Sequence, residues 1–121
     1  MSSSSYGLQP YKVIIVENPE LRANLQPAAW GQSQIVEASH LIIFANGTKL
    51  DDLAIDEYIK NISQTRNTPI EALACYGDFM KSKITSLTPE EKNIWTAKQT
   101  YIALANLLNV AAELKIDATP M

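Results

Sequence analysis

One segment near the carboxyl end constrains the fold more than any other. The run Thr-Pro-Glu-Glu beginning at Thr88 places a capping hydroxyl before a proline at the first helical position and a glutamate at the third. It predicts a long helix over residues 89 to about 114. The later part of this helix is apolar almost all round, with Ile102, Leu104, Leu107, Leu108, Val110 and Leu114. Because such a helix has little polar surface for water, it must be buried within a domain or against another subunit.

Two short apolar runs in the first half of the chain predict two buried strands. Residues 12–16 form a short, continuous strand-like run rich in β-branched side chains, and residues 41–45 form a second apolar run that ends at an Asn-Gly turn pair. Between them, Asn18 and Pro19 predict the start of a short helix that reaches about residue 26. Two strands separated by helical sequence favour parallel pairing through a right-handed crossover.

The remaining sequence predicts helices. Asp51 or Asp52 can cap a helix that reaches about residue 64, and a second Thr-Pro-x-Glu run at Thr68 predicts another helix start. A weaker helical signal covers residues 33–39. The fold class expected is therefore α+β, with two short buried strands flanked by helices, in a single domain spanning residues 1–121.

Composition excludes several classes of protein. The net charge of −3 provides no basic field for a nucleic-acid backbone. A single cysteine rules out an intrachain disulfide scaffold. The apolar runs are far shorter than the ~20 residues that span a bilayer, and the first residues do not resemble a secretion signal. We expect a cytoplasmic protein that binds neither nucleic acid nor membrane.

Side chains that usually carry acid–base, nucleophilic or metal chemistry are sparse. His40 is the only histidine and Cys75 the only cysteine. Nothing in the sequence pairs them, so we interpret His40 as structural and Cys75 as a small buried apolar residue. Neither a GxGxxG nor a phosphate-binding P-loop occurs, and no metal site is predicted.

Three segments nevertheless form a recognisable order along the chain. They are SSSYGLQPY at residues 3–11, AAWGQSQ at residues 28–34 followed by EASH, and WTAKQTY at residues 95–101 followed later by DATP at residues 117–120. The first resembles the P-S-S-x-N-x-Q-P-W segment of FMN-dependent nitroreductases. The second resembles the E/D-A-S-H segment that precedes a strand in that family, and the third resembles its long central helix and the following loop.

This resemblance implies both a fold and a chemistry. The fold expected is a partial nitroreductase-like α+β domain that forms a homodimer through the long central helices, with FMN bound at the dimer interface. The chemistry expected is a ping-pong reaction in which NAD(P)H reduces the flavin and a small acceptor, such as a quinone or nitroaromatic compound, reoxidises it. A flavin would carry this reaction itself, which agrees with the absence of an acid–base pair.

The resemblance also assigns site residues. Ser4 and Ser5 match serines that line the flavin, Gln9 matches a position that fixes the turn into the strand, and Gln99 matches a helix glutamine near the ring or ribityl chain. The complete expected set is Ser4, Ser5, Tyr6, Gly7, Gln9, Gly31, Gln34, Gln99 and Pro120. Two alternatives remain open from the residues alone: a terminal serine run is often disordered, and Gln99 is equally compatible with a solvated helix face.

Departures from the family pattern leave the function open. Gly31 stands where asparagine is common, Gln34 where a basic residue is common, and Lys115 where a helix-ending glycine is usual. Relatives also carry phosphate-binding Arg, Ser and Lys residues in segments before and after the matched region. We therefore expect the central part of such a domain, truncated at both ends, whose own FMN binding is undecided. The alternative is a degenerate, non-catalytic helical dimer that serves only for interaction.

Overall fold

The structure, a computed structural model that describes residues 2–121, contains two strands, five α-helices and three short 3₁₀ turns. This arrangement confirms the predicted α+β class. The strands are β1 (Tyr11–Val16) and β2 (Leu41–Asn46), the helices are α1 (Pro19–Leu25), α2 (Gln34–Glu37), α3 (Asp52–Arg66), α4 (Ala74–Ile84) and α5 (Pro89–Glu113), and the 3₁₀ turns are Ser5–Gly7, Gln26–Ala29 and Ile70–Leu73.

The two strands pair antiparallel, so the predicted parallel crossover is wrong. Tyr11 lies opposite Asn46 and Val16 opposite Leu41. A crossover needs a connection that packs across the sheet. Here α1 and α2 are seven and four residues long and pack mainly against each other and the intervening 3₁₀ turn. The chain therefore doubles back and enters β2 beside the end of β1.

The strands are less buried than the sequence predicts. Val13, Ile14 and Ile15 are each about half exposed, and Val16 is the buried residue of β1. Residues of β2 are intermediate in exposure throughout. In the described part of the chain, α5 packs on the sheet mainly beneath β2, so the apolar side chains of β1 stay partly exposed. Both strands of this two-stranded sheet are edge strands.

The main apolar cluster lies between α3 and α4. Ile55 and Ile59 of α3 are one turn apart, as are Met80 and Ile84 of α4, and Leu50 completes the cluster. Residues at this spacing occupy one face of a helix, so the two helices bury matching apolar stripes against each other. The 3₁₀ turn at the start of the chain packs against this cluster through Tyr6.

Helix α5 begins as predicted. The Thr88 hydroxyl accepts a hydrogen bond from the Glu91 amide at 3.3 Å, and the Glu91 carboxylate accepts one from the Thr88 amide at 2.8 Å. These bonds form a complete capping box and lower the pKa of the Glu91 carboxyl, because its charged form accepts them. Asp51 similarly caps α3 by accepting from the Ala54 amide at 3.0 Å.

The predicted helix start at Thr68 is wrong. Its hydroxyl donates to the Arg66 carbonyl, and the following residues form a 3₁₀ turn before α4 begins at Ala74. The Thr68 amide instead donates to the Ser63 carbonyl, just after Asn67 adopts a left-handed conformation. These contacts terminate α3. Because the amide and the hydroxyl of Thr68 both bond to carbonyls of that helix end, Thr68 does not cap the next helix.

The end of α5 closes on a lysine where glycine is usual. Lys115 has a φ of 58°, its amide donates to the Ala112 carbonyl, and the Ile116 amide donates to the Ala111 carbonyl. This pair of bonds is the Schellman arrangement, which requires a left-handed residue after the helix. The chain therefore forms the expected helix end without glycine, at some conformational cost.

The two Thr-Pro-x-Glu runs form a matched test of capping. We expect Thr88→Ala to lower the free energy of unfolding by about 1 kcal/mol, because α5 loses its capping hydroxyl. Thr68→Ala is the control, and we expect a clearly smaller effect because that hydroxyl does not cap a helix. Denaturant unfolding followed by circular dichroism measures both. Equal losses for the two variants would contradict this assignment of the caps.

Candidate functional site

The serine-rich start of the chain is part of the fold. We call residues 2–9 the serine loop. The Ser5 amide donates to Oε1 of Gln99 at 2.8 Å, the Gln9 amide donates to Oγ of Ser4 at 2.8 Å, and Nε2 of Gln9 donates to the Ser2 carbonyl at 2.9 Å. These bonds join the loop to itself and to α5. The alternative of a disordered serine run therefore does not describe this segment.

The serine loop has an unusual backbone. Tyr6, Gly7 and Gln9 have φ values of 57°, 72° and 46°, all in the left-handed region. For the two residues with side chains this conformation costs about 1–2 kcal/mol each, so other contacts must hold it. Strain of this kind is commonly retained at functional sites, where it fixes the direction of particular groups.

Two tyrosines hold the centre of the serine loop. The hydroxyl of Tyr58, from α3, and the hydroxyl of Tyr76, from α4, each donate to the Tyr6 carbonyl at 2.8 Å. The ring of Tyr6 lies against Trp95 of α5, with centroids 6.3 Å apart, and meets the edge of Phe79 at 6.1 Å. Three helices therefore contact Tyr6.

Gln99 connects the serine loop to α5. Its side chain is 3% exposed, and both of its polar atoms are used: Oε1 accepts from Ser5, and Nε2 donates to the Trp95 carbonyl at 3.3 Å. The alternative of a solvated helix residue is therefore wrong. In this chain Gln99 holds the serine loop in place through its hydrogen bond with the Ser5 amide.

Three expected site residues lie elsewhere in the chain. Gly31 and Gln34 are exposed and lie near the start of α2, and Pro120 is exposed in the segment after α5. Within residues 2–121, no hydrogen bond joins any of the three to the serine loop. Gly31 has a φ of 72° and follows Trp30, whose side chain is 92% exposed. The structure thus assembles one part of the expected set, namely Ser4, Ser5, Tyr6, Gly7, Gln9 and Gln99.

His40 and Cys75 do not form a site together. His40 is exposed and its ring contacts the Ser39 hydroxyl at 3.1 Å. Cys75 is also exposed, so its interpretation as a buried apolar residue is wrong. The buried residues of α4 are Gly77, Met80 and Ile84, and Cys75 lies on the other side of this helix.

Among residues 2–121, no three His, Cys, Asp or Glu side chains are grouped closely enough to hold a metal ion. None of the helices in that range combines the length and apolar character needed to cross a bilayer.

The chemistry of the serine loop fits the uncharged part of a flavin. Ser5 is exposed, and its hydroxyl bonds to no other residue in the described part of the chain. The Ser4 hydroxyl accepts from Gln9 and still has a proton to donate. Such groups suit the polar edge of an isoalloxazine ring. None of the nine expected site residues is Lys or Arg, the residues that best bind a phosphate group.

Sequence reasoning missed the side chains that support the serine loop. Tyr58 was not among the expected site residues, although a partly buried tyrosine hydroxyl usually has a hydrogen-bond partner. The sequence around Tyr76 and Asn106 gave no indication that these residues contact the serine loop. The side-chain amide of Asn106 donates to the Ser2 hydroxyl at 2.9 Å. Their roles depend on contacts between residues 70 to 104 positions apart.

Fold and loop together define an α+β protein in which a strained, neutral hydrogen-bonding loop is anchored on a long helix. Comparison with known proteins identifies the group to which it belongs. The model of the nitroreductase family matches residues 1–121, and the chain is a member of that family. The predicted family resemblance is confirmed.

Individual relatives agree with this assignment. YfkO of Bacillus subtilis, which is named as an NAD(P)H nitroreductase, is 34% identical over 128 residues, and SERP2086 of Staphylococcus epidermidis, named likewise, is 37% identical over 128 residues. Each match covers the whole of this chain but 58% and 57% of the relative, respectively. The chain thus spans somewhat over half the length of these relatives.

A solved structure shares the fold. The crystal structure of ydfN from Bacillus subtilis, described as a nitroreductase, superposes with a TM-score of 0.76 at 16% sequence identity. The match covers 93% of this chain and 54% of ydfN. At this identity the comparison establishes the fold, and it confirms the predicted nitroreductase-like architecture.

The raised pKa of Tyr58 makes the stability of the fold depend on pH in the alkaline range. Burial raises the pKa of Tyr58 above the ordinary value of 10.0, the neighbouring Tyr76 raises it further, and Arg66 opposes both. A raised pKa means that the fold favours the neutral hydroxyl. Its contribution to stability is therefore complete below pH 10.0 and is lost as the pH rises through the raised pKa.

We expect the free energy of unfolding to fall above pH 10.0 and to fall less in Tyr58→Phe. Denaturant unfolding at neutral and alkaline pH measures this difference. Tyr101→Phe is the control, because the Tyr101 side chain is 69% exposed. An identical alkaline loss in wild type and Tyr58→Phe would show that Tyr58 does not contribute to it.

Proposed function

We propose that this chain forms part of an FMN-dependent NAD(P)H oxidoreductase of the nitroreductase type. The observation that carries this proposal is the serine loop, which is held in a left-handed conformation with the Ser5 hydroxyl exposed. Membership of the nitroreductase family supports it. The names of the relatives, which refer to NAD(P)H nitroreductases, support the choice of reductant.

The residues of the serine loop have distinct proposed roles. Ser4, Ser5 and Gly7 present hydroxyl groups and open backbone to the flavin ring, while Gln9 and Gln99 hold the loop in place. A bound flavin would supply the redox chemistry, accepting a hydride from NAD(P)H and delivering electrons to a small acceptor such as a quinone or nitroaromatic compound in a ping-pong sequence. The protein supplies binding and orientation.

The long helix supports a homodimer. Val110 and Leu114 lie on the same face of α5 as the buried Gln99 and Ala103, at spacings of four and seven residues. Yet Val110 is 54% exposed and Leu114 is 64% exposed, so this face is largely uncovered at the end of the helix. An apolar helix end of this kind is suited to contact with a second copy.

Dimerisation would also bring the two parts of the expected site together. Gly31, Gln34 and Pro120 are exposed and are not bonded to the serine loop of their own chain within residues 2–121. We propose that they contribute to the flavin site at an interface between two copies. Gln34 supplies a neutral amide there, where a basic residue would favour the reduced, anionic flavin.

Flavin binding is the direct test of the proposed function. Because the expected site residues fit the ring and include no cation, we expect the chain to bind FMN and riboflavin with similar Kd values. Quenching of flavin fluorescence measures both, and oxidation of NAD(P)H with a quinone acceptor tests turnover. We expect Ser5→Ala to weaken binding about two- to tenfold without changing stability.

A matched control and two contrary outcomes make this test decisive. Ser3→Ala removes another exposed hydroxyl from the same run, and we expect it to leave flavin affinity unchanged. FMN binding at least about tenfold tighter than riboflavin binding would show that the chain holds the phosphate at residues we have not assigned. Binding of neither flavin would favour the alternative function, a non-catalytic interaction protein.

Oligomeric state tests the proposed interface. We expect Val110→Asp to convert the dimer to a monomer, because it places a charge in an apolar contact. The monomer should tolerate this change, since Val110 is half exposed. Asn109→Asp adds the same charge at the neighbouring exposed position and is the control. Light scattering measures the mass, and an unchanged dimer in Val110→Asp would exclude this end of α5 from the interface.

A further inference from the structure

We propose that Tyr58 and Tyr76 are positioning residues that fix the serine loop for contact with the flavin ring. This inference rests on the proposed function, which supplies the ligand. Neither tyrosine belongs to the segments that resemble family motifs. Their assignment comes from the hydrogen bonds, the packing of Gly7 and the geometry of Ser5.

The two tyrosines fill the hydrogen-bonding capacity of one carbonyl. A backbone carbonyl oxygen has two lone pairs, and the Tyr6 carbonyl accepts from Tyr58 and Tyr76, each at 2.8 Å. The donors come from different helices, α3 and α4, which are packed together through the main apolar cluster. The carbonyl therefore has a fixed position relative to both helices and limited freedom to rotate.

Ser5 is consequently held from both sides. Its amide donates to Gln99 of α5, and the carbonyl of the next residue, Tyr6, accepts from α3 and α4. These attachments fix the backbone around Ser5 while its hydroxyl remains exposed. Groups that contact a cofactor need placement within about 0.5 Å, which packing and hydrogen bonds to the supporting residues provide.

Gly7 allows Tyr58 to approach the loop. A Cβ atom at Gly7 would lie 2.6 Å from the Tyr58 hydroxyl oxygen but 3.7 Å from Cζ of the same ring. The first distance is a clash, whereas the second is an ordinary contact. The conflict with a side chain at Gly7 is therefore specific to the hydroxyl group. Gly7 and the Tyr58 hydroxyl form a fitted pair.

The first experiment removes the two hydroxyls and compares flavin binding. We expect Tyr58→Phe and Tyr76→Phe each to weaken FMN binding a few-fold, because one donor remains, and the double variant to weaken it roughly tenfold. Tyr11→Phe is the matched control, since Tyr11 adjoins the serine loop and its hydroxyl does not bond to the Tyr6 carbonyl. Hydrogen exchange of residues 2–9 should increase in the double variant.

A spectroscopic measurement separates positioning from general stability. If the tyrosines place the loop against the ring, the visible absorption band of bound FMN should shift in the double variant at saturating flavin. A purely structural role would leave that band unchanged once the site is filled. Unchanged affinity and an unchanged band in the double variant would overturn the proposal, even if the loop exchanged faster.

A double-mutant cycle tests the fitted pair without flavin. Gly7→Ala should destabilise wild type more than it destabilises Tyr58→Phe, because the 2.6 Å conflict disappears with the hydroxyl while the backbone strain at φ 72° remains in both. Equal losses in the two backgrounds would show that Gly7 and the Tyr58 hydroxyl are independent, and would contradict the proposed contact.

The failure of this inference is distinguishable from failure of the proposed function. Absence of FMN binding in the wild-type protein would reject the flavin site and, with it, any role of the tyrosines toward flavin. Wild-type binding that is retained in full by the double variant would preserve the proposed function and reject the positioning role alone.

Discussion

A hydrogen bond between residues 94 positions apart, from the Ser5 amide to Gln99, connects the first residues of the chain to its longest helix. The serine loop contains two non-glycine residues in left-handed conformations, which are costly in isolation. They persist because bonds to Gln99, Tyr58 and Tyr76 determine the path of the backbone. The site therefore depends on tertiary contacts more than on the local preference of its sequence.

Helix α5 organises both the sheet and the serine loop. Its buried face carries Thr96, whose hydroxyl accepts from the Asn46 amide group at the end of β2, and Gln99, which binds the loop. Asn106, two turns beyond Gln99, reaches Ser2. Each of these three polar side chains therefore joins α5 to another part of the chain. The capping box at Thr88 sets where this helix begins.

Local signals predicted the features that depend on neighbouring residues. The Thr88 box, a helix cap at Asp51 or Asp52 and both strands follow from residues within a few positions of each other, and each was predicted from the sequence. The antiparallel pairing was not, because the periodicity of a strand contains no information about its partner's direction. Thr68 illustrates a second limit. The sequence around Thr68 is compatible with a helix cap. In the structure, however, the Thr68 amide bonds to the Ser63 carbonyl at the end of α3.

The residues of the candidate site also fall into two groups, those that the sequence predicted and those that depend on contacts between distant parts of the chain. Ser4, Ser5 and Gln9 were predicted because they match positions of a family segment, and Gln99 because it lies in a family-like helix. Tyr58 and Tyr76 could not be predicted, because their hydroxyls meet Tyr6 only after α3 and α4 have packed. Long-range hydrogen bonds of tyrosine leave no periodic trace in the sequence. The exposed position of Cys75 likewise depends on which face of α4 packs against the rest of the chain.

The serine loop also explains one departure from the family pattern. In the segment P-S-S-x-N-x-Q-P-W, asparagine stands where this chain has Gly7. Asparagine and glycine are the two residues that most readily adopt positive φ, and Gly7 has a φ of 72°. Both therefore satisfy the backbone. They differ in the space they need, because a Cβ here would lie 2.6 Å from the Tyr58 hydroxyl. Glycine at this position is therefore compatible with tyrosine on α3, because the Tyr58 hydroxyl occupies the space that a Cβ atom would need.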